Sequence, residues 1–333
     1  MKAYIKGISY FLPEEVLTNE DLSNIFPEWN VEKISSKVGI SKRFVSSPNQ
    51  TALDMAESAA QKLFVENNIE KSSIDFILYC TQSPDYFLPT SACILQDRLG
   101  LATECGALDF NLGCSGYVYG LALAKGLILS GVARNILFVT SETYSKYLHP
   151  QDKRNRSIFG DAASASLIST DGFAEILNFD LGTDGSGAEN LIVKTGAAKN
   201  KEKAEDLLID EHQDPHSSDY LFMEGSEIFS FTLQRVPELV NNVLTVNGMK
   251  NEDIDLYVFH QANKYMLEHL RKKLKIAPEQ FYIYMENVGN TVSSTIPIAL
   301  CEANKEEKLF GNIVLAGFGV GYSWGGTVLK CRK

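Results

Sequence analysis

The chain has 333 residues, 44% hydrophobic, 22% charged and 10% aromatic, which suits one large globular α/β unit or two fused ones and excludes a disordered, fibrous or disulfide-dense protein. Its 31 basic and 42 acidic residues give a net charge of −11, so broad binding to a phosphate backbone would work against the whole field and no nucleic-acid partner is expected. The most apolar long stretch, residues 116–133, carries Lys125 together with Gly120, Gly126 and Gly131, so it reads as a buried helix and no membrane partner is expected.

Along the chain, the first segment is apolar only from Ile8 to Leu12 before Pro13, too short for a secretory core, and a cytoplasmic location is expected. Leu53, Ala56, Ala60 and Leu63 then fall at helical spacing, and a polar turn leads into the apolar run Phe76–Cys80, a buried strand. The same order returns where Leu239, Val240, Val243 and Leu244 form a stripe, Asn247-Gly248 closes the helix, and Leu256–Phe259 forms a strand. Ile74 and Ile254 are 180 positions apart in this match. A second match sets Asn111-Leu112-Gly113-Cys114 on Asn287-Val288-Gly289-Asn290 at an offset of 176, and a third sets Asn135–Val139 on Asn312–Ala316 at 177. The near-constant offsets predict two homologous halves, 1–172 and 173–333, each alternating buried strands with helices around a mostly parallel sheet. The polar stretch 196–219 fits neither half and reads as a surface excursion.

Six cysteines (80, 93, 105, 114, 301 and 331) show no CxxC spacing and no metal-ligand pattern, so free thiols and no metal are expected. Cys114 stands at a strand-to-helix turn between Gly113 and Gly116. A helix N-terminus there lowers a thiol's pKa and offers amides to an oxyanion, although a buried structural cysteine fits the residues equally well. His260 ends a strand at the sheet edge where open α/β folds place ligands, and Asn290 occupies the turn equivalent to that of Cys114. Taken singly, each also reads as an ordinary capped or turn residue. On the helix after His260, Lys264, Arg271 and Lys275 share one stripe with Lys272 and Lys273 beside it. This is a solvated face or a basic island able to steer an acidic partner.

The segments Asp109–Gly116, Phe159–Ala163, His260–Asn263, Gly289-Asn290-Thr291 with Ser293-Ser294 and Ile296-Pro297, and the glycine loop 319–325 together resemble the β-ketoacyl-acyl-carrier-protein synthase III family, the initiating condensing enzymes of bacterial type II fatty acid synthesis in the thiolase-fold superfamily. The resemblance covers nearly the whole chain. It implies two βαβαβαββ halves in a five-layer αβαβα arrangement, a homodimer, and a Cys114–His260–Asn290 triad. It also implies an acyl-Cys114 intermediate that condenses with malonyl-acyl carrier protein. The amides of Cys114 and Val320 would hold the oxyanion, and no metal, flavin or nicotinamide cofactor is implied, coenzyme A or carrier-protein thioesters being substrates.

Asn290 stands where elongating enzymes of the superfamily carry a second histidine, and the glycine loop lacks the second cysteine of thiolases. Carried over residue by residue, Phe87 and Leu88 are the acyl-pocket gate. Lys33, Lys37, Lys153, Ser226, Lys264, Arg271, Lys272 and Lys275 are the coenzyme A or carrier contacts. Lys33 and Lys153 replace an adenine-stacking Trp and Arg, and Leu88 replaces a Phe, departures that point to starters longer than acetyl or to an unusual donor. Three other readings stand beside this one: a thiolase-fold acyltransferase or condensing enzyme of secondary metabolism with a non-acetyl starter, a catalytically silent acyl-binding subunit, and a nucleotide-binding α/β protein.

Overall fold

The computed structural model describes residues 1–28, 30–211 and 213–332, with the backbone alone at 32–34 and 37. Its elements run in chain order as β1 (Tyr4–Phe11), β2 (Glu15–Thr18), α1 (Asn19–Ile25), α2 (Val31–Val38), β3 (Lys42–Val45), α3 (Ala52–Glu66), β4 (Phe76–Cys80), α4 (Ser91–Leu99), β5 (Gly106–Phe110), α5 (Gly116–Leu129), β6 (Asn135–Glu142), α6 (Lys153–Arg156) and β7 (Ala162–Ser169). They continue as β8 (Ala174–Thr183), β9 (Leu191–Ile192), β10 (Leu208–Ile209), β11 (Pro215–His216), β12 (Phe222–Met223), α7 (Gly225–Val246), β13 (Leu256–Phe259), α8 (Lys264–Lys273), β14 (Phe281–Tyr282), α9 (Thr295–Lys305), β15 (Gly311–Gly319) and β16 (Ser323–Cys331).

Ten strands join in the order β14-β13-β15-β16-β8-β1-β7-β6-β4-β5. The order is symmetric about its centre, where β1 and β8 meet antiparallel only at Tyr4–Glu175 and Ile5–Ala174. Without the insertions β2–β3, α6 and β9–β12, the first half reads β1-α3-β4-α4-β5-α5-β6-β7 and the second β8-α7-β13-α8-β14-α9-β15-β16. Each is βαβαβαββ.

Period-two alternation sorts the strand residues between layers. Ile77, Tyr79, Leu137 and Val139 pack against α3 and α4, whereas Leu78, Cys80, Ile136 and Phe138 face the apolar helices α5 and α9. In the second half Leu256, Val258, Ile313 and Leu315 face the same central helices, and Tyr257, Phe259, Val314 and Ala316 pack against α7 and α8. Three cores between five layers result, in the arrangement implied by the resemblance. The central helix α5 is apolar all round because sheets cover it on both sides.

Local chemistry sets the ends. Thr51 and Asp54 form a capping box at the start of α3, and Asn247 caps α7 before Gly248 turns the chain at φ +64°. Pro237 within α7 leaves the Leu233 carbonyl without its helical N–H, and Lys273 Nζ of α8 donates to it at 2.7 Å. β14 ends at Tyr282 because it is the sheet edge, and the Tyr284 N–H bonds to Gln261 Oε1 at 2.7 Å instead of to a strand. The 196–219 stretch is a largely exposed excursion with the small hairpin β10–β11, from which Asp214 alone among its described charged residues turns into a buried position. Among the described residues no helix is long and apolar enough to cross a membrane.

Candidate active site

The turn after β5 carries Cys114 to the N-terminus of α5, and the β15–β16 hairpin closes over it. A β-carbon on Gly319 would stand 2.9 Å from Cys114 Sγ, and one on Gly317 would stand 2.9 Å from the Cys114 carbonyl oxygen, so only glycine lets the hairpin approach this closely. The N–H groups of Cys114 and Val320 both donate toward the sulfur. The thiol itself differs from expectation. Burial, followed by the nearby carboxyl of Glu142, pushes it up to about 12, and the two amides only partly offset this. The reading of Cys114 as a low-pKa thiolate is therefore corrected, because desolvation of a side chain in a residue only 7% exposed outweighs the helix N-terminus.

His260 follows β13 and stays in register, its N–H donating to Ala316 O at 2.8 Å. Its Nδ1 meets Thr295 Oγ at 2.7 Å, and burial pushes the imidazole down to about 3, so it is neutral at pH 7. Asn290 is held on every side. Its N–H donates to Ile158 O and its carbonyl accepts from the Gly160 N–H, while Oδ1 accepts from the Val292 N–H at 2.9 Å and Nδ2 donates to Ala262 O at 3.4 Å. Cys114, His260 and Asn290 line one cavity of about 180 Å³, walled by Phe159, Ile228, Met266 and Phe318. Elements of opposite halves thus bring the three residues together.

Sequence reasoning missed three groups around this cavity. Glu142, the last residue of β6, is fully buried and accepts from the Gln82 N–H, from Ser83 Oγ at 2.9 Å and from Ser293 Oγ at 3.2 Å. Burial pushes its carboxyl up to about 8. The signal was a carboxylate closing a strand otherwise apolar or small. Thr295 was visible only as the end of a Ser-Ser-Thr run. Thr232 lines the cavity from α7, and its buried hydroxyl has no partner among the described residues.

The outlying candidates separate from the triad. Phe87 and Leu88 are 85% and 82% exposed, on the lip of a second cleft of about 990 Å³ that reaches Gln82, Tyr144 and Val320. Within one chain they do not line the Cys114 cavity. Lys153 is buried, with Nζ 3.3 Å from Glu28 and 3.7 Å from Asp214, which also pairs with Arg154. Ser226 is exposed in the first turn of α7, and its hydroxyl donates to Glu224 at 2.6 Å. Lys33 and Lys37 lie on α2, and their side chains fall outside the described residues.

Lys264 and Lys272 on α8 and Lys275 just past its end are exposed, whereas Arg271 is committed to Glu268 at 2.8 Å and to Ile276 O at 2.9 Å. No group of three or more His, Cys, Asp or Glu among the described residues is arranged to hold a metal.

Residues 108–185 match the family described as 3-oxoacyl-[acyl-carrier-protein] synthase III, and residues 244–331 match its C-terminal part. The chain is 34% identical over 335 residues to the β-ketoacyl-[acyl-carrier-protein] synthase III of Caldanaerobacter subterraneus, covering 99% of this chain and 98% of that one. To the enzyme of the same name from Clostridium acetobutylicum it is 36% identical over 331 residues, covering 99% and 98%. A crystal structure of a 3-oxoacyl-(acyl-carrier-protein) synthase III superposes with a TM-score of 0.97 at 48% identity, covering 99% of this chain and all of the other.

Proposed function

The chain belongs to the 3-oxoacyl-[acyl-carrier-protein] synthase III family, and on that footing we propose that the cavity around Cys114 is where it acts. Its fold is thiolase-like. It is an acyltransferase of fatty acid biosynthesis that condenses an acyl thioester starter with malonyl-acyl carrier protein, releasing carbon dioxide and giving a 3-oxoacyl-acyl carrier protein. We read residues 1–172 as the half bearing the nucleophile and 173–333 as the half bearing His260, Asn290 and the glycine loop. The protein works without a cofactor, as a cytoplasmic homodimer. Six unpaired cysteines and the exposed apolar lip formed by Tyr86, Phe87 and Leu88 support this.

The observation that carries the residue assignment is the convergence of Cys114, His260 and Asn290 on one small buried cavity, with the amides of Cys114 and Val320 on the sulfur. The thiol is neutral at rest, so acylation needs a base, and neutral His260 Nε2 takes its proton as the sulfur attacks the thioester carbonyl. The oxyanion is held by the N–H groups of Cys114 and Val320. The thioester C–S bond breaks and the departing thiolate takes the proton back from Nε2, leaving His260 neutral again. The proton that the overall reaction consumes reaches Nε2 with the malonyl carboxylate, whose negative charge pairs with it.

In the second stage the malonyl C–C bond breaks and carbon dioxide leaves. The electron pair passes into an enolate whose oxygen accepts hydrogen bonds from His260 Nε2–H and Asn290 Nδ2–H. The carbanion then attacks the acyl carbonyl, the Cys114 C–S bond breaks, and the sulfur regains its proton from Nε2.

His260→Ala separates the two stages. Acylation of Cys114 should slow by about 10- to 100-fold, and malonyl decarboxylation by at least about 1,000-fold. Undiminished decarboxylation would overturn the role given to His260.

A further inference from the structure

His260 can serve both stages only if one ring nitrogen, Nε2, does all the proton exchange. The ring's other nitrogen decides this, because the group bonded to Nδ1 sets the tautomer. Nδ1 lies 2.7 Å from Thr295 Oγ, and that hydroxyl lies 3.1 Å from Val292 O. A carbonyl only accepts, and Val292 O faces both the Thr295 hydroxyl and a ring N–H of His260, so the Thr295 proton points to Val292 O and Thr295 Oγ is left to accept from Nδ1–H. Nε2 is left with the lone pair.

Val292 does this from a costly conformation. It is a β-branched residue at φ +55°, in the left-handed region. In that conformation its N–H donates to Asn290 Oδ1 at 2.9 Å while its carbonyl accepts from Thr295. Holding Oδ1 from behind leaves Asn290 Nδ2 as the donor end of the amide. The N–H and C=O of one residue, Val292, thus reach both residues that act on the enolate, the carbonyl through Thr295.

We propose that Thr295 and the main chain of Val292 are the positioning group of this site, fixing His260 as the Nδ1–H tautomer and the Asn290 amide with one Nδ2 N–H on Ala262 O and the other left for substrate. The inference rests on the condensing role given to His260 above. Thr295 is a positioning residue, since its hydroxyl touches only the imidazole and the Val292 carbonyl. All of these groups are buried, so water does not compete for Nδ1.

The test is nitrogen-15 spectroscopy of histidine-labelled protein, in which the five histidines are distinguished by comparison with His260→Ala. The wild type should show His260 protonated at Nδ1. Thr295→Val should lose that signature and acylate Cys114 on the order of 10- to 100-fold more slowly. Thr295→Ser should restore both to within about threefold. A wild-type His260 protonated at Nε2, or a folded Thr295→Val protein with unchanged tautomer and acylation rate, would overturn the proposal. Failure of the wild type to acylate Cys114 at all would instead count against the reading on which the proposal rests.

Discussion

Glu142 Oε1 accepts a hydrogen bond from Ser293 Oγ at 3.2 Å, tying the last residue of β6 in the first half to the turn that carries Asn290 in the second. Because burial lifts this carboxyl from 4.5 to about 8, the folded state holds its proton more tightly than the unfolded chain. The stabilising contribution is therefore complete below about pH 4.5 and is lost as the pH rises through 8. Glu142→Gln should flatten the fall in stability across that window and lower the Cys114 thiol pKa, since Glu142 is its second-largest cause of elevation. Urea midpoints measured from pH 5 to 9 decide this. Parallel curves for the two proteins would contradict it.

The order of thiol alkylation follows from exposure. Cys93 is exposed and Cys114 is buried, with its thiol held up at about 12. Sub-stoichiometric iodoacetamide at pH 7 should mark Cys93 first without loss of activity. Cys114 should follow slowly, at a rate still rising above pH 9, and activity should fall with it. Peptide mapping that finds Cys114 modified first would contradict the burial argument.

Much of this was legible in the chain. The continuous apolar runs Phe76–Cys80 and Leu256–Phe259 and the near-constant offsets express a duplicated fold directly, and the turns holding Cys114, His260 and Asn290 follow from strand ends. The thiol pKa was not legible, since desolvation depends on how the β15–β16 hairpin seats over Cys114, and that is a tertiary fact. The same holds for Thr295 and Glu142. Their partners Nδ1 of His260 and Gln82 lie 35 and 60 positions away, and no local pattern marks such contacts. Arg271 shared a stripe with free lysines but was already spent on Glu268 and Ile276.

Docking of the acidic carrier should depend on the exposed lysines of α8 and its C-terminus. Lys272→Glu combined with Lys275→Glu should raise the KM for malonyl-acyl carrier protein about 5- to 10-fold, an effect weakened by salt, with little change in acylation from a small thioester. Arg271→Glu should instead lower the Tm, because it breaks the bond to Ile276 O. An unchanged KM in the double variant would make α8 an ordinary solvated face.

Asp214 occupies the cation that the resemblance places near the nucleotide end of coenzyme A. Asp214→Asn should remove one carboxylate that holds Lys153, Glu28 remaining, and so favour phosphate there, speeding acylation from coenzyme A donors about 3- to 10-fold relative to pantetheine donors without the nucleotide. Equal changes for both donor types would show that Lys153 does not meet the phosphates.

Thr232 carries a buried hydroxyl without a partner among the described residues, so the isosteric Thr232→Val should stabilise the fold by about 1 kcal/mol. Calorimetry showing a lower Tm would mean that the hydroxyl is satisfied in solution.

The most direct measurement is intact-protein and peptide mass spectrometry through one turnover, with a panel of acyl thioesters followed by malonyl-acyl carrier protein. The wild type should gain one acyl group, located on the peptide bearing Cys114. It should then return to its starting mass as 3-oxoacyl-acyl carrier protein and an equal amount of carbon dioxide appear, and Cys114→Ala should do neither. Product formed without an acyl group on Cys114, or an acyl-Cys114 that malonyl-acyl carrier protein does not discharge, would contradict the assignment of this cavity as the condensing site.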